Sequence, residues 1–368
     1  MEIAILQKNL KKGFNIVQNI IGKNLTLPIL NNILLTTEKN RLKLVSTDLE
    51  IAITHWTQCK IKKEGETTVP AKLFSDFINN LPDKKIEIKL KDDLLQIKCE
   101  NFRANIKGID AKEFPIIPKI KGELIFKIEA LKLKQALNQV ANFVSLSDIR
   151  PEISGILINT DSKNIKFVAT DSFRLGEKTI SDKNKNQIKK SVIIPLRTAQ
   201  ELIRMLNEQD KEEIVEVFIE QNQILFKTSD TQLVSRLIEG TYPNYEQLIS
   251  EQFETTLILN KDEFLNAVKI TSLFSSKIND LRLKIIPKKE LVEIFAQDIE
   301  VGENISELSG EIKGKEVEII FNYKYLIDGL NNMLSDRILL GLNGETSPGI
   351  IKPVGDPNYI YIIMPIKI

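Results

Sequence analysis

The chain has 368 residues, 51 basic against 50 acidic side chains, one histidine (His55) and two cysteines (Cys59 and Cys99). One histidine leaves little room for a Ser-His-Asp triad or a multi-histidine metal site, and two cysteines forty residues apart make neither a CxxC redox pair nor a four-thiolate zinc site. The early charges at the N-terminus argue against a signal peptide and no apolar run reaches the roughly eighteen residues of a membrane span, so a cytoplasmic protein without membrane contact is expected. Taken alone, near-neutrality speaks against a polyanionic partner.

In chain order, the first predicted element is an amphipathic helix over 6–21, with Leu10, Phe14, Val17 and Ile21 on one face. A strand follows and turns at Leu44-Val-Ser-Thr-Asp48, a short Asx-type turn. Next, Thr67-Thr-Val-Pro70 leads into a second helix over 69–81, and Pro70 suits that junction because its missing N–H falls among donors left unpaired there. Alternating strands such as Ile86-Glu-Ile-Lys-Leu90 and Leu94-Leu-Gln-Ile-Lys-Cys99 complete the series, which closes on Glu113-Phe-Pro115.

The series then recurs. A helix over 128–145 is followed by Phe167-Val-Ala-Thr-Asp171, by Pro195 leading a helix over 197–207, and by Thr241-Tyr-Pro243. A third pass has a helix over 260–275, Ile294-Phe-Ala-Gln-Asp298 and a helix over 322–334. The three turn aspartates are 123 and 127 residues apart and the two prolines 125, so three unrelated features share one period. An α+β protein of three repeats is expected, over 1–120, 121–248 and 249–368.

Charge is separated along this plan. The six predicted helices hold 11 basic and 6 acidic residues, so they carry +5 while the rest of the chain carries −4. Their remaining polar positions are largely Asn and Gln, a surface that attracts phosphates without fixed base readout. No nucleotide or metal motif accompanies it: Gly310-Glu-Ile-Lys-Gly314-Lys315 is one residue short of a phosphate-binding loop, has Glu316 where Ser or Thr is needed, and is expected to be a polar turn. His55 beside Trp56 is expected to be packed or at the surface, Cys59 and Cys99 to be core or half-buried, and the repeated aspartates to be turn formers. No catalytic residue, cofactor or metal is expected.

Thr26-Leu-Pro-Ile-Leu30, Thr47-Asp-Leu-Glu50, Thr68-Val-Pro-Ala71, Arg150-Pro-Glu-Ile-Ser-Gly155, Ala169-Thr-Asp-Ser-Phe-Arg-Leu175, Tyr242-Pro-Asn-Tyr245 and Met364-Pro365 resemble, in order and over the whole chain, the bacterial DNA polymerase III beta-subunit family of sliding clamps. The resemblance implies a non-enzymatic processivity factor: a three-repeat clamp fold, helices inside and antiparallel sheets outside, dimerising head to tail into a ring around duplex DNA. It also implies a hydrophobic groove for short linear motifs of the replicative polymerase, the clamp loader and repair proteins. Carried over by motif, the groove comprises Ile153, Gly155, Thr170, Ser172, Phe173, Arg174 and Leu175, then Pro243, Leu248, Asn322, Tyr325 and Ser347, and finally Ile362, Ile363, Met364, Pro365 and Ile366. DNA contacts would fall on Lys23, Lys72, Arg150 and Arg197. The homodimer surface would set Arg103 and Ile106 against Ser272, Leu273, Asp298, Glu300 and Glu303, a basic edge facing an acidic one. Two departures stand out, Ser172-Phe173 where the family often has Gly-His or Gly-Tyr, and Gln247 where some members carry arginine. A monomeric peptide-binding scaffold without DNA would share the groove and lack the dimer.

Overall fold

The structure is a computed structural model that describes residues 1–22, 26–147, 149–181 and 188–367. Six α-helices occur among these: α1 (Gln7–Val17), α2 (Ala71–Asn79), α3 (Ala130–Ala141), α4 (Leu196–Asn207), α5 (Lys261–Thr271) and α6 (Tyr323–Asn331). Each immediately follows a strand. Pro70 is the residue before α2 and Pro195 the residue before α4, at the strand-to-helix junctions where the sequence places them.

Three helices stop a turn earlier than their apolar period suggests. After α1 and α5 the chain tightens into 3-10 turns at Gln18–Ile20 and Ser272–Phe274, and after α3 the amides of Phe143 and Val144 bond back three residues. Such tighter turns keep the i, i+3 spacing of apolar side chains, so the sequence pattern continues past the α-helix. The α-helices as folded hold eleven basic and five acidic residues, because Glu129 ends a strand instead of opening α3.

Two compact units emerge. The first contains Met1–Lys134 and Arg197–Leu237, the second Gln135–Leu196 and Ile238–Ile368. In the first, a five-stranded sheet with edge strands Lys60–Lys63 and Phe102–Lys107 accompanies an eight-stranded sheet from Glu123–Glu129 to Glu66–Pro70. The larger sheet is continuous because Thr231–Arg236 pairs antiparallel with Ile51–Gln58. In the second, Arg174–Ser181 pairs in the same way with Tyr359–Ile363 inside a nine-stranded sheet, and a four-stranded sheet ends on Gly302–Ser309. The Gly310–Lys315 segment, expected to be a polar turn, instead supplies the edge strand Glu311–Gly314 on Thr255–Asn260.

Within the first unit α1 and α2 lie against one another through the stacked rings of Phe14 and Phe74, 4.6 Å apart. His55 points at this layer: a Cβ on Gly13 of α1 would meet His55 and Leu44. The opposite sheet face is closed by the sequence feature that ends each of the first two repeats. Phe114 is buried against Val45, Ile29 and Leu30, and in the second unit Tyr242 packs on a cluster containing Val168. The Phe-Pro and Tyr-Pro pairs are therefore lids over equivalent valines.

Candidate functional site: a groove around Arg174

The groove residues expected from the sequence fall within the second unit, and the Thr-Asp turn builds their centre. Asp171 Oδ1 accepts the amides of Phe173 and Arg174, each at 3.0 Å, while Thr170 Oγ1 accepts the Ser172 amide at 3.1 Å and donates to the Arg174 carbonyl at 2.7 Å. These bonds hold Ser172 at φ +78°, a left-handed conformation a non-glycine residue adopts only when its surroundings impose it. The first repeat repeats the turn: Asp48 Oδ1 accepts from Glu50 and Ile51, Thr47 Oγ1 from Leu49, and Leu49 sits at φ +79°. At Asp298 the side chain keeps the Glu300 amide, the Val301 amide bonds instead to the Asp298 backbone carbonyl at 3.2 Å, and Gln297 replaces the threonine. Turn formation is what the sequence assigned to these aspartates.

Arg174 leaves the turn pointing across the unit. Its Nε donates to Asp171 Oδ2 at 2.9 Å, one Nη to Asp328 of α6 and the other to the Asn142 carbonyl at 3.2 Å. The guanidinium carbon lies 4.5 Å from the Tyr325 ring centre and 5.4 Å from that of Phe143. Burial alone would weaken its charge, but the bonds to Asp328 and Asp171 outweigh this and raise its pKa. Arg174 thus remains a fixed, charged donor set between two rings. Burial, aided by the negative charge of Asp171, also raises the Tyr325 phenol, which stays protonated.

Beside this corner lies an apolar floor. Leu175 and Ile362 join Leu157, Val168, Ile193, Tyr245 and Ile350 in one buried cluster, with Tyr242, Ile249 and Phe253 partly exposed around it. The floor occupies the sheet face away from the helices, since Gly176, next in the strand, faces Phe143 and a Cβ there would strike that ring. Phe173 is 59% exposed and stacks at 6.3 Å on Tyr325. Met364 is half-buried and donates its amide to the Phe173 carbonyl at 2.8 Å, while the Ile366 amide reaches the Ile320 carbonyl at 2.8 Å. The segment through half-buried Pro365 is therefore tied to both sheets of the unit.

The remaining expected positions are less uniform. Leu248 is 40% exposed at the end of a 3-10 turn, Pro243 is half-buried, and Asn322 caps α6 by accepting the Lys324 amide. Ser347 is half-buried in the turn before Gly349–Pro353. Ile153 is buried, and Gly155 leaves no room for a Cβ beside Ile194, Ile238 and Ile193, so they support the wall from behind. Ile363 is buried on the reverse face, near Gly349 and Phe321, whereas its neighbour Ile362 lies in the floor. Asp328 and Phe143, which hold Arg174, were not singled out from sequence; the signal for Asp328 is its i+3 spacing from Tyr325 on one helix face.

Of the expected DNA contacts, Lys23 lies outside the described residues. Lys72 and Arg150 are exposed, and Arg150 donates to Glu152 at 3.0 Å and to Ser172 at 3.2 Å. Arg197 is 2.8 Å from Asp48 Oδ2 and donates to the Ile20 carbonyl at 2.9 Å. Of the expected dimer residues, Arg103 is exposed on the edge strand Phe102–Lys107, whereas Ile106 of that strand is 5% exposed and belongs to the unit's own core. Leu273 is 73% exposed, Ser272 half-buried, and Glu300 and Glu303 exposed next to Asp298.

Three family descriptions match consecutive segments: the N-terminal domain of the DNA polymerase III beta subunit at residues 1–118, its central domain at 127–244 and its C-terminal domain at 246–367. The chain belongs to the DNA polymerase III beta-subunit family. It is similar to the beta sliding clamp of Synechocystis, 29% identical over 100% of both chains, and to that of Pseudomonas putida, 28% identical over 100% of both. Among solved structures it resembles a Pseudomonas aeruginosa sliding clamp bound to griselimycin (TM-score 0.95, 26% identity, 100% of both chains covered) and the Bacillus subtilis clamp (TM-score 0.94, 27% identity, 100% of this chain and 99% of that one). The protein is accordingly a sliding clamp, a non-catalytic processivity factor of DNA polymerase III with the three-domain α+β clamp fold. Burial pushes the half-buried Cys59 thiol up to about 11 and holds the His55 imidazole near 4, so at neutral pH one is a thiol and the other an uncharged ring. No helix among the described residues is long and apolar enough to cross a membrane.

Proposed function

We propose that two copies of this clamp, each of three repeats over 1–120, 121–248 and 249–368, close head to tail around duplex DNA and hold partner proteins by short peptides in the groove around Arg174. The observation that carries the groove assignment is the corner where Arg174 is pinned between Asp171 and Asp328 beside the apolar floor of Leu175 and Ile362. An extended peptide with leucine or phenylalanine anchors suits such a place: the floor and Met364 take the anchors, while Arg174, Asn322 and the strand backbone orient them.

For DNA, the excess of basic residues on the α-helices supports sequence-independent contact, with Lys72, Arg150, Arg197 and Lys23 as the contacts we assign. Lys72 has no ion-pair partner among the described residues and is free to meet a phosphate. For the dimer, the two edge strands Phe102–Lys107 and Gly302–Ser309 each carry exposed apolar side chains, Phe102 at 51% and Ile305 at 59%. Pairing them would cover these groups and satisfy both strand edges, with Arg103 facing the carboxylates of Asp298, Glu300 and Glu303 and with Ser272 and Leu273 alongside. Ile106, buried and paired with Leu95, supports that edge from within the unit.

Retention on circular and linear DNA tests this proposal. A closed dimer stays on a nicked circle and runs off once the circle is cut. Equal loss from both forms, or a monomer at micromolar concentration by sedimentation, would sink it.

A further inference from the structure

The single tryptophan of the chain lies on the face of the eight-stranded sheet that the helices do not cover. Its neighbour His55 points at α1, so Trp56 points the other way. An uncovered sheet face is ordinarily polar at alternate positions. Here Trp56 shares one lining with Leu225, two strands away across Thr231–Arg236, and with Phe218 on the strand beyond, and residues 117–122 cross over them. A cavity of about 730 Å³ remains between that crossing segment and the sheet. A second cavity of about 430 Å³, reaching Arg236, opens on the other side of Pro118, Lys119 and Ile120.

The larger cavity is a cationic place with aromatic walls. Lys43 lies 5.9 Å from the Trp56 ring centre, Arg41 5.8 Å from it, and Lys227 5.8 Å from that of Phe218. The crossing segment adds Lys119 and Lys121, which have no side-chain ion pair among the described residues. The one carboxylate in the lining, Glu38, already accepts the Trp56 indole N–H at 3.1 Å.

We propose that this cavity is a second docking site of the clamp, separate from the groove around Arg174, and that it takes a short acidic peptide carrying an aromatic or large aliphatic side chain. Trp56, Phe218 and Leu225 would take the apolar side chain, and Lys43, Lys119, Lys121 and Lys227 the flanking carboxylates. Charge complementarity selects this occupant. Glu216 and Glu220 stand just outside, Glu216 bonded to Lys127 and Lys227 and Glu220 to the Lys121 amide. A continuous phosphate backbone would run into those carboxylates, whereas a short acidic segment inside the lining meets the lysines and a single carboxylate, Glu38, already engaged by the Trp56 indole.

Trp56 makes the test direct, because its emission reports on this cavity alone. The full-length protein is titrated with the blocked hexapeptide Asp-Asp-Phe-Phe-Asp-Asp and, separately, with its Asn-Asn-Phe-Phe-Asn-Asn counterpart and a single-stranded oligothymidylate. The expected result is a saturable change with the acidic peptide, weakened by salt, at least about tenfold weaker with the neutral peptide, and lost in Lys43→Glu/Lys227→Glu. Arg174→Ala should leave it unchanged. Should the double reversal fold poorly by circular dichroism, Lys119→Ala/Lys121→Ala, confined to the crossing segment, must weaken the same titration. Equal response to both peptides, a response only to the oligonucleotide, emission that follows clamp concentration without peptide, or no saturable change would each overturn the proposal.

Discussion

Asp171 serves Arg174 twice: one carboxylate oxygen accepts the Arg174 backbone amide at 3.0 Å and the other its Nε at 2.9 Å. The turn and the direction of the guanidinium are therefore set by one side chain. Asp171→Asn can keep the oxygen that shapes the turn but puts an amide N–H₂, or an uncharged oxygen, against the guanidinium. Loss of a largely buried charge-assisted bond costs about 1–3 kcal/mol. Affinity for a leucine- and phenylalanine-bearing peptide should fall roughly tenfold or more, by fluorescence polarisation, while Arg174→Ala should abolish it. Unchanged affinity in both variants would place the peptide elsewhere.

Removing residues 364–368 takes away Met364 and the amides that bond to Phe173 and Ile320. Peptide binding should be lost with the sedimentation coefficient unchanged. Retained peptide affinity would refute the groove assignment.

His55 makes stability depend on pH. Burial holds its folded-state pKa near 4, with the charge of Asp230 pulling the other way, while an exposed imidazole titrates near 6.5. The unfolded chain thus takes up a proton first as pH falls, so this stabilisation is whole above about pH 6.5 and is lost progressively toward pH 4, by up to about 3 kcal/mol. Denaturant unfolding of the parent and of His55→Gln at several pH values in this window checks it. The variant should show a shallower decline.

Gly329 lies inside α6, where alanine would ordinarily stabilise by about 1 kcal/mol. A Cβ there would clash with the Tyr361 ring, which is fully buried and bonded through its hydroxyl to the Tyr325 carbonyl at 2.8 Å. Gly329→Ala should therefore destabilise by about 1–3 kcal/mol, read as a lowered denaturation midpoint, and weaken peptide binding because Tyr325 shifts.

For the proposed DNA contacts, alanine at Lys72, Arg150 and Arg197 together should reduce loading and flatten the salt dependence by about one unit of slope for each phosphate no longer neutralised. Asp48→Ala frees Arg197 from its 2.8 Å ion pair and should change that slope far less than removing Arg197. An unchanged slope in the triple variant would show that these residues do not touch DNA.

Much of this was legible because local chemistry repeats. A threonine and an aspartate dictate the turns at Asp48 and Asp171, and a proline marks each of two strand-to-helix junctions. What remained hidden depends on distant pairing. Asp328 meets Arg174 across 154 residues, and the assignment of Ile362 to the floor and Ile363 to the reverse side depends on strand register, which apolar residues in succession do not reveal. Residues 117–122 looked like a mere boundary, since a cavity beneath a crossing segment leaves no periodic trace.

The paired turns differ in one respect that matters for selectivity. In the second unit the Met364 amide bonds to the Phe173 carbonyl; in the first, the Arg236 amide bonds to the Glu50 carbonyl at 3.1 Å. The backbone junction is the same, but an apolar pair sits on one and an ion pair of 3.3 Å on the other. Two side chains therefore decide which of two like junctions offers a partner an apolar foothold and which stays hydrated, so duplicated architecture need not mean duplicated binding.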